Sequence, residues 1–334
     1  MEHTRLQGVI VPMLTPLSLD GSQLAVDAIP SLVEFLIGGG VHALFLAGTT
    51  SEGPLLSVSE RRTLLERTVE AVDDRVPVVL HVGAAATRDA VGLAAFAADA
   101  GASAIASVTP YYYAYGRDEL SIYFREVAGA APNLPMYLYS IPARTAHHIG
   151  ADLALELAEV PNIVGIKDST GDMQMLLSYL EVPGFTVLSG SDILAGAALT
   201  AGSHGIVSGL AGVIPQPFVE LWNAHRDGDE GRMQRAYRTV LRVATALGYG
   251  SKLSLLKALA SERIAASATL QDGPASPTGP LLGAARSPHP AALPAEVTQA
   301  RDALAALVEL GALGAAGPDH ALRTRGDSGQ TQRG

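Results

Sequence analysis

A chain of 334 residues has room for two average domains or for one large α/β barrel with an appendage. Hydrophobic residues make up 48% and aromatic residues only 5%, so the apolar content is mostly Ala, Leu, Val and Ile, which suits alternating strands and helices. A net charge of −10 with scattered arginines offers no basic field to nucleic acid, the lack of cysteine excludes disulfides and thiolate chemistry, and no apolar run reaches the roughly 20 residues a bilayer span needs.

In chain order, residues 1–16 lack the basic-then-apolar pattern of a signal peptide, which predicts a cytoplasmic protein. Short apolar runs then recur at residues 8–14, 43–46, 76–82, 104–108, 135–139, 163–167, 186–188 and 205–208. Amphipathic stretches at 25–37, 59–72, 88–98, 118–129 and 151–158 read as helices between them. Eight short strands alternating with helices predict a parallel sheet closed as a (β/α)8 TIM barrel over residues 1–215. The distinctive loops at 48–53, 111–115, 139–145 and 189–192 each follow a strand, so a barrel would gather them on its C-terminal face. From 216 the pattern changes to helices without strands, at 217–226, 233–247 and 251–264, which predicts a C-terminal helical appendage over 216–313. Within it, 268–294 is rich in Pro, Gly, Ala and Ser and reads as an irregular connection, and 294–313 as one more helix. Residues 314–334 are polar and predicted to be disordered.

Only three of the 23 Lys and Arg residues are lysines: Lys167, Lys252 and Lys257. Lys167 ends the apolar run Asn162-Ile-Val-Gly-Ile-Lys167, at the point where a strand leaves a barrel core. Arginine stays protonated and forms no imine, whereas a lysine amine in a desolvated mouth can attack a carbonyl. An ion pair with Asp168 or another rim carboxylate is the competing explanation for Lys167. Lys252 and Lys257 lie on a predicted appendage helix and read as solvated or interface residues. Imine chemistry on a keto acid also needs a carboxylate cradle and a proton relay. The loop Gly48-Thr-Thr-Ser-Glu-Gly53 offers backbone N–H groups and two hydroxyls to an anion, although a simple turn would look the same. Tyr139 ends the fifth strand, where its phenol could pass protons; a core-rim aromatic is the plainer role, as for Tyr111, Tyr112, Tyr113 and Tyr115. Arg144 follows on the same loop and could grip a carboxylate with its fork, or face solvent.

Four motifs, Gly48-Thr-Thr50, Thr109-Pro-Tyr-Tyr112, Tyr139-Ser-Ile-Pro142 and Gly165-Ile-Lys-Asp-Ser169, resemble in order and spacing the dihydrodipicolinate synthase and N-acetylneuraminate lyase superfamily, pyruvate-dependent class I aldolases. The likeness runs from about residue 8 to about residue 265. It implies Lys167 as the Schiff-base lysine and Tyr139 as proton donor and acceptor. It further implies Thr49 and Tyr112 in the relay, Thr49 and Thr50 on the pyruvate carboxylate, and the Val207 backbone beside the bound keto acid. Arg144 falls where synthase members hold the aldehyde's carboxylate. The partners implied are pyruvate and a small aldehyde or keto acid, with no cofactor and no metal, in a homo-oligomer, a dimer or tetramer. Ser51 departs from the glycine usual in the first motif, and Gly212 from the asparagine many members carry there. Residues 54–58 lack the histidine, and Ala85 the asparagine, of lysine-inhibited synthases.

The stretches His81-Val-Gly83, 104–113 and 247–250 lean toward aldolases of 2-keto-3-deoxy sugar acids, and 139–143 with 164–169 toward those of 4-hydroxy-2-oxoglutarate. Arg144 leans toward an acidic aldehyde. The alternatives are 4-hydroxy-tetrahydrodipicolinate synthase, condensing pyruvate with aspartate semialdehyde, and a non-catalytic keto-acid-binding protein. A binder needs no imine-forming amine, and the nine histidines form no ligand cluster for a metal-dependent aldolase.

Overall fold

The computed structural model describes residues 5–272 and 281–309. Eight strands, β1 (Gly8–Pro12), β2 (Ala43–Leu46), β3 (Val78–His81), β4 (Ala104–Val108), β5 (Met136–Ser140), β6 (Ile163–Asp168), β7 (Thr186–Ser189) and β8 (Gly205–Val207), close into a parallel barrel in sequence order. Every strand residue is buried, because a parallel barrel is filled inside and covered outside by helices. Alternation along each strand divides two cores. Ile10, Phe45, Val79, Ala106, Val108, Tyr137, Tyr139, Leu188 and Val207 fill the interior. Their neighbours Val9, Val11, Leu44, Leu46, Leu80, Ile105, Leu138, Ile166 and Val187 join the larger cluster under the helices. Each large side chain withdrawn from water in this way contributes roughly 1.5–3 kcal/mol against the entropy of ordering the chain.

The helices α1 (Ile29–Gly38), α2 (Val58–Val72), α3 (Thr87–Asp99), α4 (Arg117–Gly129), α5 (Pro142–Thr145), α6 (Ala151–Leu157), α7 (Met173–Leu180) and α8 (Ala195–Thr200) fill the crossovers. Local chemistry sets their starts. Ser57 and Glu60 form a capping box on α2, and the Asp172 carboxylate accepts from the Gln174 N–H at the head of α7. The expected strands agree with the observed ones to within two residues at either end. Helices α5, α7 and α8 were not anticipated. They span four, eight and six residues; α5 and α8 are too short for a helical period to show, whereas α7, one residue longer than the anticipated α6, was missed despite its length.

Four helices follow: α9 (Gln216–Arg226), α10 (Glu230–Ala246), α11 (Leu253–Asp272) and α12 (Pro294–Glu309). Helix α9 packs on β1 and α10, and α11 reaches α1 and α12. Helix α11 continues through residues 268–272, where an irregular connection was expected; 281–293 is irregular. The expected tail at 314–334 lies outside the described residues. The two appendage lysines differ sharply. Lys252 forms a surface ion pair with Glu296, whereas Lys257 is fully buried against Glu52, so a solvated role fails for it. Among the described residues, no helix is long and apolar enough to cross a membrane.

Candidate active site

Strand register assembles the centre of the site. Val108 pairs with Tyr139, Tyr139 with Lys167 and Lys167 with Leu188, so four inward side chains from β4 to β7 stand side by side. The Lys167 ammonium lies 3.8 Å from the centroid of the Tyr139 ring and 4.7 Å from that of Phe45. Two aromatic faces stabilise positive charge there, and they would do so equally for an ammonium or a protonated imine. Lys167 is only 4% exposed, so water has little access to the nitrogen. Asp168, one residue on, turns away as strand geometry requires, and its carboxylate accepts from the Thr170 N–H at 2.9 Å. The ion pair considered between Lys167 and Asp168 is therefore absent. Gly190 makes the lysine's position possible: a Cβ there would stand 2.1 Å from Ser169 Oγ and 3.3 Å from Lys167 Cε.

The Tyr139 hydroxyl lies 3.3 Å from Thr49 Oγ1, joining the fifth strand to the loop after β2. Burial pushes the Tyr139 phenol up. The adjacent Lys167 charge, with hydrogen bonds to Thr49, Lys167 and Ser169, outweighs burial and brings it below its ordinary value. A buried phenol biased toward ionisation beside an amine is suited to moving protons. Thr50 packs toward the exit of β8, where a Cβ on Gly209 would stand 2.9 Å from Thr50 Oγ1. Val207 lies in the same interior cluster, two residues before that glycine.

The loop from 47 to 53 is held on all sides. Ala47 and Glu52 adopt left-handed backbone, with φ of 55° and 58°, which costs a non-glycine residue roughly 1–3 kcal/mol unless its surroundings enforce it. Those surroundings are explicit. His81 Nε2 accepts from the Val108 N–H at 3.2 Å, which leaves the proton on Nδ1 to donate to the Ala47 carbonyl at 3.0 Å. Burial, assisted by the Arg61 charge, lowers His81 to about 3 and keeps it neutral. Buried Arg61 donates twice to the Gly53 carbonyl and once to that of Gly83. The departure at Ser51 is also explained, since its hydroxyl donates to the Met13 carbonyl at 2.6 Å while its own carbonyl accepts from Thr15 Oγ1 at 2.6 Å. A glycine would lose the first of these bonds.

Lys167, Tyr139, Thr49, Thr50 and Val207 thus converge. Tyr112 and Arg144, by contrast, are exposed. Tyr112 is 88% exposed with φ of 86° and stacks edge-on against Tyr113. Arg144 sits on the short helix α5, exposed and without an ion pair among the described residues. Sequence reasoning passed over Asp192 as an individual residue, although it singled out the loop at 189–192. Burial pushes this carboxyl up to about 6, against a hydrogen bond from Ser208 and the attraction of Lys167. Ser208 also accepts from the Ala211 N–H, which fixes its hydroxyl. A polar residue two positions past a barrel glycine was the available signal.

The sequence profile of the dihydrodipicolinate synthetase family matches residues 5–278. The chain is 38% identical over 245 residues to a protein of Nitrosospira multiformis named 4-hydroxy-tetrahydrodipicolinate synthase, covering 73% of this chain and 81% of that one. A crystal structure of dihydrodipicolinate synthase from Bacillus anthracis superposes with a TM-score of 0.79 at 28% identity, over 90% of this chain and 98% of that one. YagE of E. coli, a prophage protein of the dihydrodipicolinic acid synthase family crystallised in complex with pyruvate, superposes with a TM-score of 0.78 at 28% identity, over 92% and 99%. With that profile match, that identity and a closed eight-stranded barrel, this chain belongs to the dihydrodipicolinate synthetase family and is an enzyme of its carbon–carbon lyase, or aldolase, type.

Proposed function

We propose that the protein is a class I aldolase that binds pyruvate as a Schiff base on Lys167 and cleaves or forms a bond between pyruvate and an aldehyde. The observation that carries this reading is the contiguous set of an enclosed amine, a phenol and a hydroxyl: Lys167 at 3.8 Å from the Tyr139 ring, and the Tyr139 hydroxyl at 3.3 Å from Thr49 Oγ1. In the condensing direction the Lys167 amine adds to the keto carbon, and loss of water gives a protonated imine. Tyr139, coupled to Thr49, delivers the proton that leaves with that water. Loss of a proton from the methyl carbon gives an enamine, which attacks the aldehyde carbon; the new alkoxide takes up a proton, and water then hydrolyses the imine. Cleavage runs the same steps backward. Thr49 and Thr50, with the backbone of their loop, hold the pyruvate carboxylate, and the Val207 backbone borders the bound keto acid.

For the aldehyde partner we favour the hydroxylated aldehyde released from a 2-keto-3-deoxy sugar acid, or the glyoxylate released from 4-hydroxy-2-oxoglutarate. Asp192 supports the sugar-acid substrate, because a carboxyl pushed up to about 6 beside Lys167 and Ser208 can pair with substrate hydroxyls in either protonation state. The second reading, condensation with aspartate semialdehyde, draws on the Nitrosospira relative's name and on the exposed Arg144, a ready partner for a carboxylate. We further infer a cytoplasmic homo-oligomer, a dimer or tetramer. Tyr112 points outward here, so its part in the relay requires a neighbouring subunit.

Borohydride reduction in the presence of pyruvate tests the central step. The expected result is a reduced adduct on the Lys167 peptide and on no other, absent from Lys167→Arg. Active enzyme whose Lys167 peptide stays unmodified would eliminate the imine mechanism, and a protein that binds pyruvate with neither adduct nor turnover would indicate a keto-acid-binding protein.

A further inference from the structure

The loop carrying Thr49 and Thr50 is tied to the far end of the chain through one buried carboxylate. Glu52 and Lys257 both have fully buried side chains, and Lys257 Nζ lies 2.6 Å from Glu52 Oε1. The other carboxylate oxygen accepts from the backbone N–H of Arg286 at 2.5 Å. Lys257 also donates to the Ala284 carbonyl at 2.8 Å, so the same ammonium grips both the loop and the segment beyond α11. That segment is bound along its length to the barrel loops. Leu282 O accepts from Leu17 N, Ala284 N donates to Ser18 O, and the Arg286 guanidinium reaches the carbonyls of Gly21, Ser22 and Leu55 and the carboxylate of Glu60.

Two features indicate a task beyond general stability. A buried ion pair gives little net stability over an apolar pair of the same volume, because both charges lose their hydration. The directional bond on this carboxylate is the one from the Arg286 N–H, and Glu52 is one of the two left-handed residues in the loop, three positions from Thr49. Without its anchors the Glu52 backbone would relax toward ordinary geometry and move the hydroxyls that precede it. The Glu52 carboxylate itself is sealed from the pyruvate pocket by its burial among α11 and the 281–286 segment, so it touches no substrate.

We propose that Glu52 is a positioning residue, clamped by Lys257 and the Arg286 main chain, through which the C-terminal segment holds the Thr49–Thr50 turn in the geometry that binds the keto-acid carboxylate. The role rests on the pyruvate reading above, and the irregular 281–286 segment thereby becomes part of the barrel's binding apparatus.

The test combines three variants of the full chain, Lys257→Met, the double variant Glu52→Gln with Lys257→Met, and Arg286→Ala, with amide exchange over the loop and pyruvate kinetics. In Lys257→Met the Glu52 and Gly53 amides, which donate to Thr49 O and Gly48 O, exchange faster while those of α3 and α4 do not. A misplacement of about 1 Å can cost up to roughly 10²-fold, so the KM for pyruvate rises by about tenfold or more while kcat falls less. The double variant, which leaves no buried charge and keeps an amide oxygen for the Arg286 N–H, recovers part of both. Should Lys257→Met fail to fold, Arg286→Ala, which keeps the main-chain N–H on Glu52 but removes the side-chain bonds to Gly21, Ser22, Leu55 and Glu60 that hold the segment in place, shows the same direction in exchange and KM with a smaller size. Wild-type loop exchange and wild-type KM in folded Lys257→Met or in Arg286→Ala overturn the proposal. Faster loop exchange in the variants, with a wild-type enzyme that forms no pyruvate adduct, brings down the proposed function and leaves the anchoring intact.

Discussion

Replacing Tyr139 by phenylalanine removes one oxygen and leaves the rest of its surroundings in place. The ring keeps its edge contacts with Phe45 and His81, at centroid distances of 6.1 and 5.9 Å, and keeps its face beneath Lys167. What disappears is a hydrogen bond to Thr49 that is already long at 3.3 Å, with those to Lys167 and Ser169; Thr49 is half-buried, so water can replace that partner. A net hydrogen bond contributes about 0.5–1.5 kcal/mol, and long ones the lower part of that range, so stability should fall by about 1–2 kcal/mol. Catalysis should suffer far more. A positioned acid–base group supplies roughly 10²–10⁴-fold, equivalent to about 2.7–5.4 kcal/mol on the barrier. The assay pairs steady-state turnover and its pH profile with denaturant unfolding and borohydride trapping. Turnover should drop by at least two decades, with trapping at long incubation preserved. Burial opposes ionisation of the phenol but Lys167 and its hydrogen bonds win, so the wild-type profile should show a limb below the ordinary tyrosine value of 10.0 that the variant lacks. Turnover within about threefold of wild type, or a loss of activity that merely follows a loss of several kcal/mol in stability, would refute the relay role.

Ser51→Gly should destabilise the folded protein by about 1–2 kcal/mol in denaturant unfolding, because the buried hydroxyl bond to Met13 O is lost and the chain gains freedom when unfolded; an unchanged midpoint would show that the bond contributes nothing. For Asp192, burial raises the folded carboxyl to about 6 from 3.8, so the folded state holds its proton more tightly than the unfolded chain. Its contribution to stability therefore falls as pH rises from about 4 to 6, and Asp192→Asn should be relatively more stable above that window than below it; parallel stability profiles for the two proteins would contradict this. Arg144→Ala should weaken use of acidic aldehydes by about 1.5–3 kcal/mol in kcat/KM while leaving neutral aldehydes and adduct formation nearly untouched, and equal losses across both classes would remove it from substrate recognition.

The barrel was legible because its physics repeats. Eight apolar runs of three to seven residues between polar turns can hardly be anything but strands buried on both faces, and runs such as 104–108 and 43–46 matched the strands residue for residue. Legibility failed where the repeat was too short or the cause was not local. Helix α8, Ala-Gly-Ala-Ala-Leu-Thr, carries no polar face to set against an apolar one. The reason for its glycine lies on α10: a Cβ on Gly196 would stand 2.6 Å from the Tyr237 ring. The extension of α11 through 268–272 was likewise hidden, because Ala-Thr-Leu-Gln-Asp carries no strong pattern and is compatible with both helix and coil.

The site divides along the same line. Lys167 stood out because the chain uses arginine almost everywhere else, so a lysine at a strand end marks chemistry that a guanidinium cannot perform. The same scarcity should have drawn attention to Lys257, yet its position on a helix suggested a solvated charge. Its partner, Glu52, lies far away in the sequence, and only folding brings the two to 2.6 Å. Neither periodicity nor composition encodes such a meeting. Ser51 makes the converse point: it looked like a weakening of the first motif, but a side chain was affordable there because the Met13 carbonyl lay within reach of its hydroxyl. Reading the loop at 48–53 as a turn with two hydroxyls captured what it offers a ligand. What holds those hydroxyls still comes from His81 on β3, Arg61 on α2, Thr15 after β1 and Lys257 on α11, four elements whose contributions no linear motif contains. A catalytic loop can therefore be recognised from its own residues, while its rigidity has to be sought in the residues that surround it.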